Sequence, residues 1–96
     1  MIKPIVEFIG TFIFFSIILQ HGQPLPIAIA LAAAVYFGGN ISGGHFNPGV
    51  SLMMFLKADK SSPFALPDLV QYVSVQSLAA VAAVYFNKYW GQAIPA

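Results

Sequence analysis

Residues 40–57 read NISGGHFNPGVSLMMFLK, placing two glycines, a histidine and an Asn-Pro pair in a chain that is otherwise almost wholly apolar. Such groups are costly in lipid, because hydrocarbon offers no water to satisfy an open backbone. Asn is a favoured helix N-cap and Pro a favoured first helical residue, so Asn47-Pro48 starts a helix abruptly. The apolar run that follows ends at Leu56, which as a helix is ~14 Å, about half of a hydrocarbon core. A segment this short, apolar and capped predicts a re-entrant half-helix, with its irregular approach, over about 42–56. The stretch VSLMMFL lacks the polar face that would hold a helix flat on the membrane surface.

The composition around that stretch is a membrane protein's. Of 96 residues 58% are hydrophobic and 7% charged, with mean hydropathy +0.79, against about 25% charged in an ordinary soluble domain. The charges are Lys3, Glu7, Lys57, Asp59, Lys60, Asp68 and Lys88, and there is no arginine. A net charge of +1 offers no basic surface for nucleic acid. The absence of cysteine removes disulfides, thiol catalysis and thiolate metal sites.

Outward from the interruption lie three longer apolar runs. The first, about 4–20, opens on Pro4 and carries IVEFIGTFIFFSIIL. A cleaved signal peptide is the rival reading; Glu7 within the run and the lack of a small-x-small cleavage site count against it. The second, about 25–40, has only the stretch PIAIALAAAVYF as continuous apolar sequence. Its end at GGNISGG must therefore emerge from the membrane or pack against protein. Ala28, Ala30, Ala32 and Ala34 suit close helix approach. The third, about 67–90, starts at Pro67 and Asp68, has the small pair Ala79 and Ala83, and places Tyr72 near one end and Tyr85, Tyr89 and Trp90 near the other, in the manner of interfacial aromatic belts. The expected fold is all-α: three transmembrane helices plus one re-entrant half-helix, as a single unit over 1–96. Lys3, Lys57 and Lys60 then fall on one side and Lys88 on the other, which puts the N-terminus in the cytoplasm. Three spans enclose little by themselves, so an oligomer is expected.

A helix beginning at Asn47 near the midplane aims free N–H groups and its positive dipole end at the membrane centre. Water or a small hydroxylated solute would find hydrogen bonds there, and a cation a repulsive field. Gly43 and Gly44 allow the backbone leading to Asn47 an unusual course, its carbonyls forming a ladder of acceptors, with His45 adding a carbonyl, an imidazole or both. A purely structural contact is the competing role for His45. Glu7, a carboxylate inside a span, is best used in accepting hydrogen bonds from that irregular backbone, and Gln76 in similar bracing. Asn40 opens an N-x-S sequon beside the proposed loop on the cytoplasmic side, where it is discounted. Met53 and Met54 read as packing, and His21 and His45 lack metal-ligand spacing. No nucleophile–base set, phosphate loop or carboxylate pair is present, so neither an enzyme nor a cofactor is expected.

EFIGTF at 7–12, GNISGGHFNPGVSL at 39–52 and YVSVQSLAAVAA at 72–83 together resemble the aquaporin, or major intrinsic protein, family, in order and across nearly the whole chain. They match the N-terminal half of such a channel. The resemblance implies two inverted halves whose Asn-Pro-Ala half-helices meet at the midplane. It makes Asn47, Pro48 and Gly49 the motif, lines one vestibule with Gly43, Gly44, His45 and Phe46, and braces the loop with Glu7 and Gln76. Gly49 stands where the family usually has alanine. The second motif and its following arginine have no counterpart in these residues, and the filter aromatic of the second span falls nearest Ile27. The implied activity is passive passage of water or small neutral solutes across a lipid bilayer. The partner would be an inverted copy, a complementary half or a full-length channel; the alternative is a non-conducting protein that modifies such a channel.

Overall fold

A computed structural model describes residues 1–90. It has four helices: α1 (Ile2–His21), α2 (Pro24–Ser42), α3 (Pro48–Lys57) and α4 (Leu66–Tyr89). Three of them, α1, α2 and α4, are long and apolar enough to cross a membrane. The described chain is all-helical, and its long dimension is 47 Å.

Two residues separate α1 from α2. Gly22 adopts the left-handed conformation at φ 62° and returns its N–H to Ile18 O at 3.2 Å, the helix stop that glycine permits without steric cost. Pro24 then opens α2 at a position where its missing N–H is no loss. The result is a tight antiparallel pair. Helix α1 is the central element, packing on both α2 and α4, while α3 packs on α4. Glu7 meets Gln76 near one end of α1 and Gln20 meets Asn87 near the other. Thus α1 and α4 run parallel, and Lys3 lies at the same end as the α3–α4 connection with Lys57 and Lys60. In that connection the Asp59 carboxylate accepts hydrogen bonds from Ser61 Oγ and from the amides of Ser61 and Ser62 at 2.7–2.9 Å. These bonds hold its carboxyl below the usual carboxylate range. They persist above the ordinary carboxyl pKa and are lost as pH falls through the lowered one.

Helix α2 runs on through Gly38-Gly39 to Ser42. Of its alanines, Ala28 and Ala32 are exposed while Ala30 and Ala34 are half-buried beside α1, and the residues of α2 that are buried are Gly38 and Ser42. A Cβ on Gly38 would stand 2.9 Å from Val6 Cγ1 and 3.0 Å from the Phe46 ring. The glycines thus extend the helix and at the same time let protein pack against it. Ala79 and Ala83 of α4, by contrast, are fully buried.

Candidate functional site

The site grows from the five residues between α2 and α3. Gly43 closes α2 with its N–H on Gly39 O at 2.9 Å, then turns left-handed at φ 94°; Gly44 follows at φ 66° and Phe46 at φ 53°. A left-handed conformation costs a residue with a side chain about 1–2 kcal/mol, so Phe46 must be compensated. Its ring is 1% exposed and slots between α1 and α2 against two glycines. A Cβ on Gly10 would lie 2.1 Å from that ring. Gly10 and Gly38 therefore leave the room that the Phe46 ring fills.

Glu7 organises the backbone of this turn. Its Oε1 accepts from the Phe46 amide (2.8 Å) and Gln76 Nε2 (2.9 Å); its Oε2 accepts from Ser42 Oγ (2.6 Å) and the His45 amide (3.1 Å). Glu7, Gln76 and Ser51 have no solvent exposure. Hydrogen bonds to a charged acceptor contribute about 1.5–3 kcal/mol each, which is how a carboxylate is tolerated inside a span. Gln76 Nε2 also donates to Ser51 Oγ at 2.9 Å, and Ser51 Oγ lies 2.8 Å from His45 Nδ1. The His45 ring packs against Phe64 and Tyr72, with centroids 5.1 and 5.0 Å away.

Helix α3 begins as its sequence dictates. Asn47 is extended (φ −164°, ψ 128°), and its Oδ1 caps the Gly49 amide at 2.7 Å. With Oδ1 so engaged, the two hydrogens of Nδ2 are left over, and Asn47 is exposed. Ser51 is level with Gln76, and Asn47 lies one turn deeper, ~6 Å, which brings it near the middle of α4.

Glu7, His45, Phe46 and Gln76 therefore form one buried cluster, whereas Gly43, Asn47 and Gly49 face outward and Gly44 and Pro48 are half-buried. Phe46 is 1% exposed and turns its ring inward against Gly10 and Gly38. Beside the turn, α1 and α2 enclose an apolar groove of about 690 Å³ whose wall includes Ile9, Ile13, Ala30, Ala34, Gly38 and Phe46. Ile27 is not part of that wall, which takes Pro26 and Ile29 there instead.

Sequence reasoning missed three residues of the cluster: Ser42, Ser51 and Tyr72. Tyr72, read as an interfacial aromatic, is in fact 3% exposed, and its hydroxyl donates to Ser42 O at 2.5 Å. Ser51 could have been found as the one hydroxyl of an otherwise apolar half-helix. For Ser42, next to the glycine pair, the sequence carries no distinguishing signal.

Membrane-length helices around a capped half-length helix, its entry turn held by a buried carboxylate, define a re-entrant membrane fold. The model of the family described as Major intrinsic protein matches residues 2–94, and the chain belongs to that family. It is an integral membrane protein. Among curated relatives, a glycerol uptake facilitator protein-like 6 from Lactiplantibacillus plantarum is 32% identical over 92 residues, covering 86% of this chain and 41% of the relative. Human Aquaporin-9 is 37% identical over 101 aligned positions, covering 88% of this chain and 33% of the relative. The chain thus spans well under half the length of these relatives. No solved structure matches it.

Proposed function

We propose that this chain forms one half of a channel for water or small neutral solutes. The path runs past the Asn47 amide, the outward face of Gly43 and Gly49, and the groove between α1 and α2. The observation that carries the reading is Asn47 itself: an exposed amide with two unused hydrogens, at the tip of a helix that crosses half the bilayer and stops. Unpaired donors in hydrocarbon cost several kcal/mol each, so a wet path or a polar partner must meet them. The tip of α3 also carries a positive dipole end, which favours neutral solutes over cations. The two relatives, named for glycerol uptake and as an aquaporin, support the same solute class. A second copy turned over in the membrane would place its own α3 in the leaflet that this α3 leaves empty, and a complementary half would serve equally.

The test is osmotic shrinkage of proteoliposomes holding only this protein, followed by stopped flow beside an Asn47→Leu variant and protein-free vesicles. Flow well above empty vesicles, and reduced in the variant, supports a self-assembled path. Rates equal to empty vesicles from folded, inserted protein would refute it for water acting alone. One observation favours the second reading, a non-conducting subunit of another channel. Three of four lysines lie at one end of the molecule, which biases all copies to one orientation, with the α3–α4 connection in the cytoplasm.

A further inference from the structure

The cluster behind the turn contains a hydrogen-bond chain whose direction can be worked out atom by atom. Gln76 Nε2 has two hydrogens, and both have acceptors: Glu7 Oε1 and Ser51 Oγ, each at 2.9 Å. Reversing the amide would set its oxygen against Glu7 Oε1, which already faces the Phe46 amide, so the nitrogen belongs where it is. Ser51 Oγ therefore accepts one hydrogen. Its only other partner among the described residues is His45 Nδ1, at 2.8 Å. A hydroxyl has one hydrogen to place, and a buried one left unplaced costs about 1–3 kcal/mol. Ser51 must then donate to Nδ1, and Nδ1 must carry no hydrogen. An imidazolium would present Nδ1–H to Ser51 and leave the serine hydrogen without an acceptor.

We infer that His45 is held as the neutral Nε2–H tautomer and presents that N–H as a fixed donor to an oxygen lone pair of water or a small neutral solute. The assignment follows from the network, which decides tautomers. Nε2 has no partner within the described residues, yet it is not sealed, unlike Thr11 Oγ1, Ser16 Oγ and Gln76 Oε1. It lies 3.2 Å from the point where a Cβ on Gly43 would stand, so the missing side chain of Gly43 keeps this nitrogen uncovered. Gly43 thus serves two ends, its left-handed φ of 94° and the open window beside it. Nδ1 is occupied by a serine that can only give. His45 therefore donates to passing oxygens but does not relay a proton from one ring nitrogen to the other.

The solute class rests on the channel reading, whereas the tautomer can be measured without any flow. Solid-state NMR of ¹⁵N-histidine protein in bilayers at neutral pH reads it directly, with His21→Gln leaving His45 as the one histidine. The expected spectrum has Nε2 protonated and Nδ1 bare, with Nε2–H polarised rapidly from water. Ser51→Ala should yield a mixture of tautomers while the helices persist, and Gly43→Ala should slow water polarisation several-fold. A protonated Nδ1 in the wild type, a tautomer indifferent to Ser51→Ala, or an Nε2–H that water never reaches would overturn the inference.

Discussion

At the scale of single residues, the fold depends on what surrounds Glu7 and Phe46. Glu7→Gln keeps the shape but turns one end of the group into a donor, facing two of the hydrogens that the carboxylate received, from Phe46 N and Gln76 Nε2 or from Ser42 Oγ and His45 N. Each buried donor left unmatched costs about 1–3 kcal/mol. Unfolding in detergent should therefore show a loss of that order or greater, whereas Lys3→Gln, at an exposed position, should leave stability within about 0.5 kcal/mol. Gly10 makes a sharper case. A methyl there meets the buried Phe46 ring at 2.1 Å, so Gly10→Ala should destabilise by about 1–3 kcal/mol and loosen the turn. Gly39→Ala, whose Cβ would meet only Val35 at 3.6 Å, should be neutral or stabilise α2 by about 0.5–1 kcal/mol.

At the scale of elements, α3 is the most legible part of the molecule. Asn-Pro and the short, mostly apolar run to Leu56 were enough to place a capped half-helix, because capping is local chemistry. For α2 the sequence left two outcomes at its glycine pair, emergence or packing against protein, and could not name the partner; it is Phe46, which is close in sequence but reached only through a left-handed turn. Tyr72 was misread for a related reason: its depth depends on where Ser42 ends up, thirty residues away. Polar residues within apolar runs, Glu7 and Gln76, were recognisable as bracing candidates, but the Gln76 amide that joins Glu7 to Ser51 required three-dimensional contact. Gly49 carries the element-scale prediction. A Cβ there meets only Asn47 Oδ1, at 3.2 Å. Gly49→Ala should strengthen α3 by up to about 1 kcal/mol. It should also slow entry of a glycerol-sized solute more than of water, as paired stopped-flow measurements would show.

At the scale of the whole molecule, the lysine distribution and the inverted-pair assembly pull in opposite directions, and orientation decides between them. The chain has no cysteine, so single cysteines at Ser61 and at Gln23, near opposite ends, report sidedness without background. An inverted pair predicts that each position is labelled partly from either face of sealed vesicles. Labelling of Ser61→Cys from one face alone would assign the chain a partner of different sequence. Glu7 also carries a consequence in time. It enters the membrane with the first helix, but its hydrogen-bond donors arrive at residues 42, 45, 46 and lastly 76. Until α4 is made, α1 holds an incompletely satisfied acid in an apolar setting. During synthesis, then, α1 and α2 have to wait in a sheltered place for α4, and this part of the protein becomes at home in lipid only once α4 has joined them.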